Sequence, residues 1–486
     1  MPASAFGALS DVILTGSGAL PRGVAGRYLE AAEKIARERR LFHWELEFPE
    51  AFFNAGGRRL DNAGFDAVIG NPPWDMIRAD SGPSDSRARS RTDIAPVLRF
   101  ARGAGVYTAQ SIGHANRYQL FAERALALTR RGGRLGLVLP SGLATDQGSA
   151  PLRRRLLAEC DVDALVGFDN QRGVFPIHRS VRFVLLTGTA GSATQSIACR
   201  LGERDPAALE ATGEEPSGSS SWFPIRLTPE LIRRLSGDDL AIPDFRTTTD
   251  VAIAERAAAM FPPVGSDGSW RARFGRELNA TDDRAHFGGP GRGLPIVEGK
   301  HLDPFRVQTR SATASISRSK ARLLLDPQRY ERARLAYRDV ASATNRLTLI
   351  AAVLPADCIS THTVFCLRTP LPLSAQYFLC GLFNSFVVNY LVRMRVTTHV
   401  TTATVERLPI PGRDHSPRAC REIAALARRL SRRDDRDASA RLQASVAALY
   451  QLTPDEFAHV LGTFPLIAKE ERDLVYKTFV ATRTDT

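Results

Sequence analysis

Apolar residues recur along this chain in two rhythms. Between Gly23 and Leu41, the residues Leu29, Ala32, Ile35 and Ala36 fall at helical spacing and predict a helix. Phe65-Asp66-Ala67-Val68-Ile69-Gly70 is a short apolar run ending on glycine, the pattern of a buried strand. Asn116–Arg130 predicts an amphipathic helix ended by Arg131-Gly132-Gly133, and Leu135-Gly136-Leu137-Val138-Leu139 a second buried strand. Pro151–Glu159 reads as a basic helix, and Ala164–Phe168 and Val181–Thr187 as third and fourth strands. Strands alternating with helices argue for a parallel α/β sheet.

The rhythm fades after the fourth strand. Gly188–Ser221 is Gly, Ser, Thr, Ala and Glu with little periodicity and reads as a linker. Ser81–Arg91, polar and arginine-rich with Gly82 and Pro83, reads as a loop. From Trp222 to Gly412 the chain predicts short strands, among them Leu347–Val353 and Thr363–Leu367. One long helix is expected there, Leu373–Val392, carrying Phe378, Leu382, Phe383, Phe386 and Leu391. Residues 413–486 are charged and helix-rich. The expected division is therefore 1–187, a linker at 188–221, 222–412 and 413–486, with no internal repeat.

Composition narrows the class. With 486 residues, 43% hydrophobic and 24% charged, the chain has the make-up of a globular protein of two or three domains. It shows neither an apolar run long enough for a bilayer nor the pattern of a secretory leader. The expectation is a cytoplasmic protein with no membrane partner. The six cysteines, Cys160, Cys199, Cys358, Cys366, Cys380 and Cys420, include no C-x-x-C pair, so no metal site is expected. A net charge of +13 suits a polyanionic partner such as nucleic acid. A GC-rich genome would also supply arginine freely, so charge alone does not establish DNA binding.

The chemistry lies where the first strand runs into Asn71-Pro72-Pro73-Trp74. An exocyclic base amine is conjugated with its ring and is a poor nucleophile. Two acceptors on its two N–H groups would draw the lone pair out of conjugation. The Asn71 side-chain carbonyl is one such acceptor. The Pro72 main-chain carbonyl is the other, and proline holds the backbone dihedral between them. Trp74 offers a flat face for stacking. A base reached this way must first be flipped out of the duplex. A loop at the C-terminal end of a parallel strand is also where α/β sheets place ligands.

Phe65–Trp74 resembles the fourth motif of the gamma-class adenine-specific DNA methyltransferases, above all the type IIG restriction–modification and related phage-defence enzymes. Phe42–Glu50, Arg131–Ser141 and Phe175-Pro176-Ile177-His178-Arg179-Ser180 resemble further segments of that family. The resemblance implies a partial Rossmann-like methyltransferase sheet, then a mixed α+β target-recognition domain and a helical tail. It implies that Asn71 and Pro72 hold the target amine, with Pro73 and Trp74 completing the catalytic loop. Trp74 would stack on the adenine and Phe175 would contact its other face. Asp66 is expected to position the loop, and His43 and Trp44 to pack.

The family's methyl donor is S-adenosyl-L-methionine, held on a glycine turn after a strand. Gly16-Ser17-Gly18 matches that turn only superficially, being close to Asn71 in sequence and a lone G-x-G. The chain is thus expected to hold the base-binding half of the enzyme and to bind the donor weakly or not at all by itself. A split enzyme completed by a second chain, a truncated gene and a mis-set start all remain open.

Trp222–Gly412 resembles the recognition domain through Arg273–Leu278, Pro295–Lys300, Tyr337–Val340, Asn384-Ser385-Phe386 and Thr397-Thr398-His399. Candidate contacts to double-stranded DNA are Arg276, Lys300, Arg338, Arg393, Arg395 and His399. Glu298-Gly299-Lys300 is half of a nuclease signature without its acidic partner, so no nuclease is expected. The alternative to an enzyme is a non-catalytic DNA-recognition subunit or remnant. A third reading, methylation of a protein amide, fits the basic charge and large second region less well.

Overall fold

The computed structural model describes residues 3–75, 97–103, 105–110, 116–210, 223, 225–341, 345–396 and 399–484. The expected loop at Ser81–Arg91 lies outside them, as do Thr397 and Thr398. Six strands form the first sheet: β1 (Phe65–Gly70), β2 (Thr129–Pro140), β3 (Cys160–Asp169), β4 (Arg182–Ala190), β5 (Ile197–Glu203) and β6 (Ile225–Leu227), in the order β1-β2-β4-β3-β5-β6. All four expected strands form. The helix Arg117–Leu128 joins β1 to β2, and Ala150–Glu159 joins β2 to β3. Leu135, Leu137 and Leu139 alternate inward from β2 and are buried with Tyr118, Ala122, Leu152 and Leu156 of those helices.

Three expectations are corrected here. The sheet is mixed rather than parallel: β1 runs parallel to β2 and β3 to β5, but β4 is antiparallel to both β2 and β3. The loop from Asn170 to Val181 holds no α-helix, and without a crossover the chain turns straight back. Secondly, Thr129 already begins β2, so Arg131-Gly132-Gly133 is strand and not a helix end. Thirdly, 188–221 is not simply a linker. β4 runs to Ala190 and β5 lies inside that stretch; Ile197 and Cys199 are fully buried beside β3. Their alternation is too short to be read without its pairing partner.

The second region contains β7 (Phe274–Gly275), β8 (Leu294–Val297), β9 (Leu302–Asp303), β10 (Arg306–Val307), β11 (Ser315–Ile316), β12 (Arg334–Arg338), β13 (Ala351–Leu354), β14 (Ile359–Ser360) and β15 (Val364–Leu367). Its main sheet has the order β13-β12-β15-β7 and is antiparallel throughout. The expected long helix is two helices, Leu373–Phe383 and Phe386–Arg393, bent by 62°. Asn384 causes the break: its fully buried amide donates to Ala351 O and Cys380 O and accepts from Ala351 N. Ser385 then caps the second helix by accepting from Val388 N. Among the described residues no single helix is long and apolar enough to cross a membrane, and this bent pair is core.

Residues 413–486 form helices Pro417–Leu430, Arg436–Leu449, Pro454–Gly462 and Lys469–Thr484. They are not a separate tail. Phe457, Phe464 and Phe479 are buried in the same continuous core as Phe383, Phe386 and the first sheet. Arg153 helps fasten the two regions: buried, it donates to Leu143 O, Asp146 O and Asp239 O. The cysteines are free thiols, five of them buried.

Candidate active site and nucleic-acid interface

β1 delivers Asn71 to the sheet's C-terminal edge, with Gly70 opposite Leu137 of β2. Asn71 is exposed and Pro72 buried. The Asn71 side chain has no hydrogen-bond partner among the described residues. Trp74 is held more tightly. Its Nε1 donates to Val138 O at 3.4 Å, and its ring lies 5.9 Å from Phe183, which itself stacks on Phe168 at 5.1 Å. One indole face is therefore built into the sheet surface.

Phe175 does meet Trp74, but edge to face, with ring centroids 5.8 Å apart and planes at 85°. Rings sandwiching a base would have to lie parallel and about 7 Å apart, twice the stacking distance of roughly 3.5 Å. The expected clamp is not formed in this arrangement, and Phe175 would have to swing aside for a base to lie on Trp74. The loop bearing Phe175 is organised by Asn170, which sequence reasoning missed. Its amide nitrogen donates to Phe175 O, Ile177 O and His178 O, and its carbonyl accepts from Phe175 N at 2.9 Å. Asp169 adds a bond from Gln171 N at 3.1 Å. An asparagine three residues before glycine was the only sequence signal.

Asp66 is a correction. It sits at the opposite end of β1, roughly 16 Å from Asn71 at about 3.3 Å per residue. Its side chain is 86% exposed and paired with Arg130 at 2.6 Å, so it neither touches the base site nor positions the loop. Trp44 lies in a surface aromatic cluster, 5.6 Å from Phe65, and His43 beside it is exposed. Gly16-Ser17-Gly18 follows the helix Ala3–Thr15 and precedes the helix Arg22–Arg39. With no strand before it, this turn does not fit a methyl-donor loop.

In the second region, chain reversal gathers four of the six predicted DNA contacts. β12 ends at Arg338, β15 begins at Val364 opposite it, and Gly275 of β7 pairs with Cys366. Arg276, Arg338 and Thr363 thus share one end of the sheet. Arg276 lies 5.1 Å over the Phe365 ring and 3.9 Å from Asp339 Oδ2. His399 Nδ1 is 3.3 Å from the same oxygen. Lys300 pairs with Glu298 at 2.6 Å, and Arg338 lies against Gly299, whose N–H donates to Thr363 Oγ1. That pairing also accounts for the half-signature E-x-K, and no cluster of metal-ligand residues occurs among the described residues.

The other two candidates stand apart. Arg393 is used within the fold: it donates to Thr348 Oγ1, Thr463 O, Asn345 O and Arg346 O, and stacks 3.9 Å over Phe464. Four of its five N–H donors are thus spent within the fold, which sets it apart from the four gathered candidates. Arg395 is half-buried, and burial pulls its guanidinium down to about 10.

The site is thus a mixed sheet with an Asn-Pro-Pro-Trp loop at the end of its edge strand and aromatic rings beside it. Residues 22–175 match the family model of the Eco57I restriction-modification methylases. No curated protein matches the chain. Among solved structures, the type IIG restriction endonuclease BpuSI is 13% identical, with a TM-score of 0.32 over 87% of this chain and 55% of its own. The type IIL restriction-modification enzyme MmeI, in complex with DNA, is 12% identical, with a TM-score of 0.39 over 85% of this chain and 54% of its own. The M protein of the type I restriction enzyme EcoKI is 13% identical, with a TM-score of 0.26 over 40% and 47%. The chain thus spans about half the length of BpuSI and MmeI.

Proposed function

We propose that this chain carries the base-binding and DNA-recognition parts of an adenine-specific DNA methyltransferase of a restriction–modification or phage-defence system. The observation that carries the reading is the Asn71–Pro72 pair: a side-chain carbonyl with no partner among the described residues, beside a proline-held main-chain carbonyl, at the end of β1 and next to a fixed indole. A flipped adenine would stack on Trp74, which returns about 1–3 kcal/mol of the flipping cost. Its amine would donate one N–H to Asn71 Oδ1 and the other to Pro72 O. The nitrogen lone pair is then free to act as nucleophile. S-adenosyl-L-methionine, when bound, supplies the methyl group.

The described residues ahead of β1 are largely helical and do not fit that donor, so its site belongs to another segment or a second chain. The open side of β1 suits such a partner. Among the described residues β1 pairs only with β2, and Ile69 is 87% exposed, whereas strands of parallel sheets are ordinarily covered.

Long-read sequencing of DNA from cells making the chain together with a donor-binding partner tests the reading. Adenine methylation at a defined motif is expected, and Asn71→Ala should abolish it while DNA binding by the purified protein persists. Near-normal methylation by Asn71→Ala would refute the assigned role. A chain that binds DNA and never supports methylation would instead be the non-catalytic recognition subunit.

A further inference from the structure

We propose that His399 reads the exocyclic amine of an adenine or cytosine in the DNA major groove through its Nε2, and that Asp339 is the positioning residue that makes Nε2 an acceptor. The proposal rests on the reading of 222–412 as a DNA-recognition region and adds the chemistry of one contact.

Asp339 is a buried carboxylate beneath a basic surface. Its side chain is 7% exposed, whereas that of His399 above it is 56% exposed. Burying a carboxylate is costly unless it is paired, and among the described residues Arg276 and His399 are the two cations on its Oδ2. The backbone on both sides is fixed. Asp339 N donates to Thr363 O at 3.0 Å, and Val400 N donates to Asp339 O at 2.8 Å. Val340 and His399 form a bridge between adjacent segments. Neither group can drift away from the other without breaking main-chain bonds.

The tautomer follows from this contact. A carboxylate oxygen 3.3 Å from Nδ1 would repel a lone pair there, so the proton of a neutral imidazole sits on Nδ1. Nε2 then carries the lone pair. Lys300, Arg276 and Arg338 are donors only, fitted to phosphates and to guanine O6 and N7. His399 is the one of the four gathered residues able to accept. In the major groove the base donors are adenine N6 and cytosine N4.

The test uses the full chain and a library of duplexes with a randomised core, selected for binding and sequenced. Wild type is expected to select adenine or cytosine at one position that His399→Ala no longer discriminates, a change of about tenfold. Asp339→Asn should lose preference at the same position with the others kept, because its amide can donate to Nδ1 and move the ring proton to Nε2. In the selected duplex, replacing that base by an analogue without the amine should weaken wild-type binding about tenfold and leave His399→Ala indifferent. The exposed His399 variant carries the test if Asp339→Asn does not fold. Variants that keep the whole preference, or lose all positions together, overturn the assignment; so does wild-type indifference to the missing amine. A wild-type chain with no preference anywhere overturns the recognition reading itself and this inference with it.

Discussion

Asn71 and Asn170 do opposite work. Asn71 is exposed, with no partner for its carbonyl among the described residues, which is what a substrate acceptor requires. Asn170 is fully buried and spends its amide on the loop that carries Phe175. Asn170→Ala should cost about 1–3 kcal/mol, seen as a lower midpoint in urea, and should loosen Phe175. An unchanged midpoint would show that the loop is held by other contacts. Asp250 gives a second residue-scale outcome. Burial pushes its carboxyl up, but hydrogen bonds from Tyr390, His459 and the backbone N–H groups of Arg246 and Thr247 outweigh this and hold it below the usual carboxylate range. A depressed folded value stabilises above the unfolded value of about 3.9, and that stability is lost as pH falls through the folded value. Asp250→Asn should therefore lower stability at neutral pH and flatten its decline below about pH 4, measured as unfolding free energy against pH. The motif loop was legible in the sequence because its residue types are demanding. Asn170, Asp250 and Asp339 were not, since their partners are distant in the chain.

At the scale of elements, the break at Asn384-Ser385 separates what periodicity can and cannot express. Both halves of Leu373–Arg393 are apolar and buried almost all round, so their hydrophobic pattern runs straight through the bend. The signal was local chemistry: Ser385 is a helix-capping residue type, and Asn384 bonds both the N–H and the C=O of Ala351 in β13. Ser385→Ala should cost about 1 kcal/mol, read from urea unfolding. If the loss is nil, the bend is imposed by packing and not by the cap. The reversal of β4 has the same lesson. Val181–Thr187 reads as a buried strand in either direction, and only the helix-free loop before it sets the sense. β5 was hidden because a three-residue apolar patch gains meaning only beside β3.

For the whole molecule, the expected outcome is that the purified chain binds S-adenosyl-L-methionine weakly or not at all in isothermal titration. Micromolar binding without a partner would mean that the described residues hold a donor site after all. The division into a catalytic unit and a tail dissolves in the structure, because one core joins the first sheet to the C-terminal helices and Arg153 fastens the sheet unit to Asp239. The sequence by itself determined the local chemistry: the Asn-Pro-Pro-Trp loop after a short strand, the helices and strands whose apolar spacing is long enough to count, and the family match of 22–175 that these residues underlie. Tertiary structure alone decided which of six basic candidates meet at one sheet end, that Arg393 is consumed within the fold, that Asp66 faces away from the site, and that Trp74 and Phe175 touch edge to face. The reason is physical. Side-chain type and spacing are properties of neighbours along the chain, whereas pairing, burial and direction depend on residues that only folding brings together.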